Sequence, residues 1–428
     1  MESLYDVAII GGGPAGSSTA ILLAGKGRKV VIVEKEKFPR FHIGESLLPY
    51  SMGAFDRLGI HDRLKAEGMP KYGGEIATTC GTRAVKFYFK NGFRLQHHQA
   101  FQVERATFDK ILLDRARQCG AEVREETMVE KVAFSPDDVT LSVKGEAGLA
   151  EIRARYLVDC SGRHSVVGRH FGLKSDYAHL RKFSCYAHYE NVQRDEGIDA
   201  GLTRLVRASK YWFWLIPLDE RRTSIGVVMD SEEFKTRKTS PEETLAQTIE
   251  ESPVMRDRMS AARRVSQVYS VGDYSYRNSR LTGDRWMLAG DAAGFIDPIF
   301  STGVFLAIHS GEQCADAIDT ILTKPGKRTG LFRKYERSMH RIMDMYLRFV
   351  SAWYRDEFVD VFTNPTERLQ LAPAINAVLA GNVGNSFAIW WRMQLFYLIL
   401  FLQRYFPLCP RLEQKPAAES APQVSATA

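Results

Sequence analysis

The sequence predicts an α/β protein built on a doubly wound, dinucleotide-binding domain. Three observations carry this. The apolar run Val7-Ala8-Ile9-Ile10 reads as a buried parallel strand. Gly11, Gly13 and Gly16 follow at G-x-G-x-x-G spacing, with Pro14 and Ala15 between them, and residues 17–23 read as a helix. A second apolar run, residues 29–33, ends in Glu34 and Lys35. Glu34 stands roughly twenty positions beyond the glycines, where an acidic side chain holds a ribose hydroxyl. Gly11 permits the tight turn, Gly13 lets a pyrophosphate approach the backbone, and Gly16 lets helix and strand pack closely. The helix N-terminus adds free N–H groups and a positive dipole end.

The chain has 428 residues, enough for two or three domains with sizeable cores. At 45% hydrophobic and 25% charged its composition is that of a globular protein. Cys80, Cys119, Cys160, Cys185, Cys314 and Cys409 form no C-x-x-C pair, so neither a disulfide frame nor a metal site is predicted. The net charge of +7 fits surplus surface lysine and arginine, or attraction to an acidic carrier protein or a membrane surface. The basic clusters lack interleaved aromatics, which argues against nucleic acid. With no basic and apolar leader before Tyr5, a cytoplasmic protein is expected.

Along the chain, residues 38–49 are dense in Gly, Pro and charge, a loop that enters a helix near 49–58. Residues 85–89 and 93–95, joined by Asn91-Gly92, predict a hairpin. A helix is expected over 109–119, then strands at 123, 129–134, 139–143 and 155–159. Antiparallel strands are expected within 183–230, helices within 241–262, a strand at 286–291 and a long helix over 303–322. The nucleotide-binding domain is thus expected from 1–70, 101–170 and 270–325, a β-rich substrate layer from 71–100 and 171–269, and a helical region from 326–410. Residues 411–428, small and polar with two prolines, are expected to be disordered.

Two further motifs sit at predicted strand ends: Asp159-Cys160-Ser161-Gly162-Arg163 and Gly290-Asp291-Ala292-Ala293. An aspartate at a strand end, followed by small residues opening a helix, suits a polyol and a phosphate. With the glycine loop and Glu34, these motifs resemble FAD-dependent aromatic-ring enzymes of the para-hydroxybenzoate hydroxylase type over roughly residues 1–325. The resemblance implies a discontinuous FAD-binding domain with an inserted β-rich layer and a helical C-terminal region. It places FAD at Gly11, Gly13, Pro14, Ala15, Gly16, Glu34 and Lys35. Further FAD contacts are implied at Arg40, Glu45, Ser46, Arg105, Asp159 and Gly162, and at Gly290, Asp291, Pro298, Gly303 and Val304. Arg40 and Arg105 also fit surface ion pairs.

Within that group the chain resembles the flavin-dependent halogenases. Trp212, Trp214, Ile216 and Pro217 fit W-x-W-x-I-P, and residues 295–303 fit F-x-x-P-x-x-S-x-G. The resemblance implies that the tryptophans stand along the route from flavin to substrate; one face of a strand filling the core gives the same spacing. It implies chloride or bromide at the amides of Thr302 and Gly303, where a helix opens; an ordinary Ser/Thr N-cap fits those residues too. An essential lysine follows the family's G-E-S-x-x-P segment, here residues 44–49. Lys71 is the positional match, with Lys65 as its rival on a solvated helix face. An ammonium can hydrogen-bond hypohalous acid, or as an amine form a haloamine.

The resemblance implies a cycle that begins with FADH2 from a separate flavin reductase; that no second G-x-G-x-x-G follows a strand agrees with this, although hydroxylases of this fold bind nicotinamide without such a domain. Oxygen gives a C4a-hydroperoxide, halide captures its distal oxygen, and hypohalous acid reaches Lys71. A small electron-rich aromatic, a phenol or pyrrole, free or tethered to an acyl carrier protein, is then halogenated. The substrate-binding segments of tryptophan halogenases find no match here. The alternatives are a flavin monooxygenase, a geranylgeranyl-reductase-like oxidoreductase acting on an apolar substrate, or a flavin protein without turnover. The apolar, aromatic stretch 388–402 is expected to pack over the substrate pocket. Its rival is an interfacial membrane helix over 388–406, with Arg392 and Arg404 near its edges.

Overall fold

The computed structural model describes residues 4–146, 148–365, 368–384 and 386–412; most of the tail expected to be disordered lies outside them. The first sheet runs Thr282–Gly283, Trp286–Leu288, Gly148–Asp159, Tyr5–Ile10, Val30–Val33 and Glu122–Arg124. Its four central pairings, from Trp286–Leu288 to Glu122–Arg124, are parallel. The strands are continuously apolar because both faces are covered; Val7, Ala8, Ile9, Val31 and Ile32 have no exposed surface. The register sets Ile10 beside both Val33 and Asp159, and Asp159 beside Leu288. The carboxyl ends therefore share one row, and the motif loops leave the sheet together.

The helix Pro14–Ala24 is buried throughout between the sheet and the long helix Thr302–Thr323. Gly16 allows this approach: a Cβ there would lie 1.9 Å from the Gly11 carbonyl oxygen.

The second sheet runs Arg263–Arg264, Lys182–Glu190, Arg222–Asp230, Tyr211–Pro217, Thr203–Arg207, Gly73–Thr78 and Ala84–Tyr88. It is antiparallel except where Thr203–Arg207 meets Gly73–Thr78. Strand alternation gives it two apolar faces. Cys185, Val206, Phe213, Leu215, Ile225 and Val227 form one core. Beside it lie Pro241–Glu251 and Pro253–Met259, the former opened by a Ser240/Glu243 capping box. Ile76, Leu205, Trp212, Trp214, Ile216 and Val228 face the other way, into the core shared with the first sheet.

The Asn91-Gly92 hairpin does not form. Ala84–Tyr88 pairs with Gly73–Thr78 instead, and Phe89–Asn91 is a turn of 3₁₀ helix. A two-residue Asn-Gly hairpin needs positive φ, whereas Gly92 has φ −75°. Tertiary packing wins: Phe89 is 1% exposed, and the Phe93 N–H donates to the Pro373 carbonyl at 2.9 Å.

The C-terminal region is helical over Arg328–Trp353, Asp356–Phe362, Leu371–Leu379 and Phe387–Tyr405. Among the described residues no helix is long and apolar enough to cross a membrane.

One packing contact in the second sheet is testable. The Trp214 indole lies flat on Gly226 of the neighbouring strand, where a Cβ would sit 2.2 Å from the ring. Gly226→Ala should destabilise the fold by about 1–3 kcal/mol in denaturant titration, as overpacking does. Gly326→Ala, with nothing within 4 Å of the new methyl, should stay within about 0.5 kcal/mol of the parent.

Candidate active site

The crevice beyond the strand ends gathers most of the predicted cofactor residues. Gly11 has φ +98°, and a Cβ there would lie 2.4 Å from the Cys160 carbonyl oxygen, so this loop crossing requires glycine. Gly13 caps Pro14–Ala24 with no side-chain hydrogen bond, and Pro14 takes the first helical position. The amides of Ala15 and Gly16 have no intrahelical acceptor there and stay open for phosphate oxygens. Glu34 is buried at its strand end. Its Oε2 accepts from the Gly12 N–H at 2.7 Å and its Oε1 from the Glu36 N–H at 2.9 Å. Both oxygens keep lone pairs for a ribose. Lys35 stands at the rim, 3.2 Å from His164 Nε2.

Across the row, Gly290 has φ +61° and its N–H donates to Ser310 Oγ at 2.8 Å. The half-buried Asp291 carboxylate makes no hydrogen bond to any described residue, and burial pushes it up to about 6, against the pull of Arg105 and Arg163. An unpaired carboxylate, open helix amides and a ribose-facing glutamate fit FAD at this crevice.

Asp159 differs. It has no exposed surface, and its two oxygens accept from the Ser161 and Val167 N–H groups at 2.9 and 2.7 Å. It shapes the loop that carries Gly162, at φ +62°.

Arg105 is buried. Its Nε and Nη2 hold Asp109 at 2.7 and 2.8 Å, and its Nη1 donates to the Ile43 carbonyl at 2.7 Å. Arg40 Nη1 lies 3.2 Å from Asp109 Oδ2 without hydrogen-bond geometry, a buried donor left for another acceptor.

Residues 44–46 join this crevice to the lysine. Above Gly44, at φ +108°, a Cβ would sit 3.0 Å from Arg105 Nη1 and 3.7 Å from Val304, at the start of Thr302–Thr323. Glu45 Oε1 is 2.7 Å from His188 Nε2; burial opposes the imidazolium, but the Glu45 bond and charge carry its pKa upward. Ser46 Oγ meets Thr203 Oγ1 at 3.1 Å and accepts from Lys71 Nζ at 2.8 Å. Two residues, at most about 7 Å of chain, thus separate Gly44, beside Val304, from the lysine's partner Ser46.

Lys71 is 4% exposed. Its ammonium also donates to the Leu47 carbonyl at 3.2 Å and lies 5.4 Å from the Phe89 ring centre. It has no described carboxylate partner, and burial pushes it down to about 7. Lys65, the rival, lies exposed on His61–Glu67. Leu371–Leu379 and its end cover this region: the Tyr50 N–H donates to the Ala380 carbonyl at 3.0 Å. Phe387–Tyr405 packs behind that helix.

The helix Thr302–Thr323 starts after Ser301, at φ +57°, with no side-chain cap. The Thr302 and Gly303 amides therefore stand at an uncapped N-terminus. The loop before it, with Pro298, is tied to the tryptophans by residues that motif spacing missed. Trp212 Nε1 donates to Tyr354 Oη at 3.1 Å, and Tyr354 donates to Asp297 Oδ2 at 2.8 Å. Burial pushes Asp297 up to about 6. Trp214 Nε1 donates to Ser224 Oγ at 3.2 Å, and the two indole centres are 6.1 Å apart. Ile216 and Pro217 are buried beyond them. Asp297 lies inside the quoted motif at an unspecified position. Tyr354, Ser224 and His188 carry no local signal.

A cleft of about 310 Å³, lined by Tyr50, Gly53, Phe305, His309 and Glu312 among others, includes none of the predicted site residues.

The chain matches the FAD binding domain family over residues 4–350. It is 30% identical over 376 residues to the 1H-pyrrole-2-carbonyl-[peptidyl-carrier protein] chlorinase of Pseudomonas fluorescens, covering 82% of this chain and 84% of that one. Among solved structures, a flavoprotein/dehydrogenase from Cytophaga hutchinsonii superposes with a TM-score of 0.86 at 31% identity, over 94% of this chain and all of the other. The flavin-dependent brominase Bmp2 superposes with a TM-score of 0.83 at 27% identity, over 94% and 100%. Sheet order, crevice and relatives agree: the chain belongs to the flavin-dependent halogenases of the para-hydroxybenzoate hydroxylase fold and is an FAD-dependent enzyme.

Proposed function

We propose that this halogenase transfers chlorine or bromine to an electron-rich ring, a phenol or pyrrole, and that Lys71 handles the halogenating species. The observation that carries this is a buried lysine with no described carboxylate partner, bonded to Ser46, two residues along the chain from Gly44, which packs by Val304 in the first turn of Thr302–Thr323. Bound and reduced by a separate reductase, FAD supplies the electrons that activate oxygen for halide oxidation. The chain's own groups do the rest. The Ala15 and Gly16 amides, Glu34 and Asp291 hold the cofactor, with Arg40 offering a further donor. The Thr302 and Gly303 amides concentrate halide at a positive helix end. Trp212 and Trp214, fixed through Tyr354 and Ser224, wall the route and keep bulky rings from the flavin.

At Lys71, the Ser46 hydroxyl and the Leu47 carbonyl hold two N–H groups. The third N–H of the ammonium is free to donate to hypohalous acid and withdraw charge from its oxygen, which makes the halogen more electrophilic. As the ring attacks the halogen, Nζ gives its proton to the departing hydroxide to form water, and the proton then lost from the ring carbon restores the ammonium. The chlorinase named above acts on a pyrrole carried by a peptidyl-carrier protein. A carrier-bound ring is accordingly the first substrate to try here, beside free phenols.

The assay combines protein, FAD, a flavin reductase, NADH, oxygen and bromide with an activated phenol or a carrier-bound pyrrole, read by product mass. Bromination is expected; hydroxylation of the ring with no halogenated product would overturn the reading. Lys71→Met should lower halogenation by roughly 10²–10⁴-fold, the range for lost proton-donor assistance. FAD binding and flavin-dependent oxygen consumption should persist.

The ammonium is the active form, so activity should be full below about 7 and fall as pH rises through that value. A rate that climbs over the same window would assign the chemistry to the free amine. The same shift sets a stability trend. Unfolded Lys71 holds its proton up to about 10.5, and the folded form loses it near 7. The unfolded state thus binds more protons between these values, and parent stability should rise with pH relative to Lys71→Met across that window. Paired denaturant titrations measure the difference.

A further inference from the structure

The helix Phe387–Tyr405 has two apolar faces, and described residues cover only one. Ile389, Met393, Phe396 and Leu400 are buried towards Asp356–Phe362 and Leu371–Leu379. On the opposite face, at spacings of three to eight residues, stand Phe387, Trp390, Leu398, Phe401 and Tyr405, between 50% and 73% exposed. Phe406 and Leu408, just past the helix, are exposed as well. A helix on the surface of a globular protein is polar on this side.

Charge narrows the occupant. From Leu369 to Leu412 the sequence contains no Asp, Glu or Lys, but it contains Arg392, Arg404 and Arg411. Arg392 donates to the Leu369 carbonyl and to Gln370, and Arg411 to the Gln403 and Arg404 carbonyls. None of the three meets a described carboxylate in an ion pair. Arg392 is turned away, onto Leu369 and Gln370, but an apolar aromatic stripe with Arg404 and Arg411 at its C-terminal end fits a helix lying in a bilayer interface, its rings at the acyl boundary and its cations at anionic headgroups. The stripe spans a 19-residue helix and is interrupted once, by Gln394, which accepts from Arg348 Nη1 at 2.6 Å. A protein partner would need a groove of matching length, whereas a bilayer needs none. The remaining segment, residues 413–428, has a single large apolar residue, Val424, and cannot bury five such side chains.

We propose that this face docks the enzyme peripherally onto a bilayer surface that carries anionic lipid. The inference does not depend on the halogenation chemistry. The full chain is sedimented with phosphatidylcholine vesicles, with and without phosphatidylglycerol. Binding to the anionic vesicles is expected, weakening as salt rises. Trp390→Ser with Phe401→Ser should lower vesicle affinity at least about tenfold, from the apolar area each ring buries. Their exposure predicts unchanged circular dichroism, melting and FAD binding. Arg404→Gln with Arg411→Gln should lower affinity for the anionic vesicles only. Absence of binding at low salt, or binding unchanged in both double variants, overturns the proposal. So does a concentration-dependent dimer that the aromatic double variant dissolves, which would give the face to a second copy. Binding that emerges only after truncation at Leu412 would give it to the tail.

Discussion

At the end of Tyr5–Ile10 the backbone passes the loop after Gly148–Asp159 so closely that a methyl on Gly11 would lie 2.4 Å from the Cys160 carbonyl oxygen. That crossing sets the depth of the crevice. It lets Pro14–Ala24 begin directly beneath the strand ends, so its first amides point outward. It also keeps Asp159 inside, where both carboxylate oxygens bind backbone N–H groups and fix the neighbouring turn. Glu34 and Asp291 then stand on either side with capacity to spare. The nucleotide-binding architecture follows from strand register and two glycine contacts.

Polar pairs set among apolar contacts help fasten the second sheet to this scaffold. Glu45 meets His188, Ser46 meets Thr203, and Trp212 reaches Asp297 through Tyr354. Buried polar groups are costly unless satisfied, so such pairs fix one relative position of the layers more sharply than apolar packing alone. Lys71 is the exception. Its ammonium has acceptors but no described counter-charge, and burial brings its proton affinity near neutrality. A surface lysine has no such property.

Much of the fold was legible in local pattern. The run at residues 7–10, the glycine spacing and Glu34 announced a βαβ unit because each signal lies within one stretch of chain. The motif at 295–303 marked the start of Thr302–Thr323. The Asn91-Gly92 turn misled because a hairpin needs a partner strand as well as a turn, and Ala84–Tyr88 found its partner upstream in Gly73–Thr78. Tyr354 and His188 stayed invisible because each acts on a residue more than fifty positions away.

The sequence by itself determined the strand–glycine–helix grammar, the acid after the second strand, the family motifs and the long helices, since all follow from spacing along the chain. Only the tertiary structure decided which of these residues share a site. It committed Asp159 to its own loop, left Asp291 unpaired, stripped Lys71 of water and set Trp214 on Gly226. Those outcomes depend on strand register and on what covers each side chain. Both are set by packing between segments that meet only in the fold, as Ile10 meets Asp159, and a linear sequence holds no local signature for that.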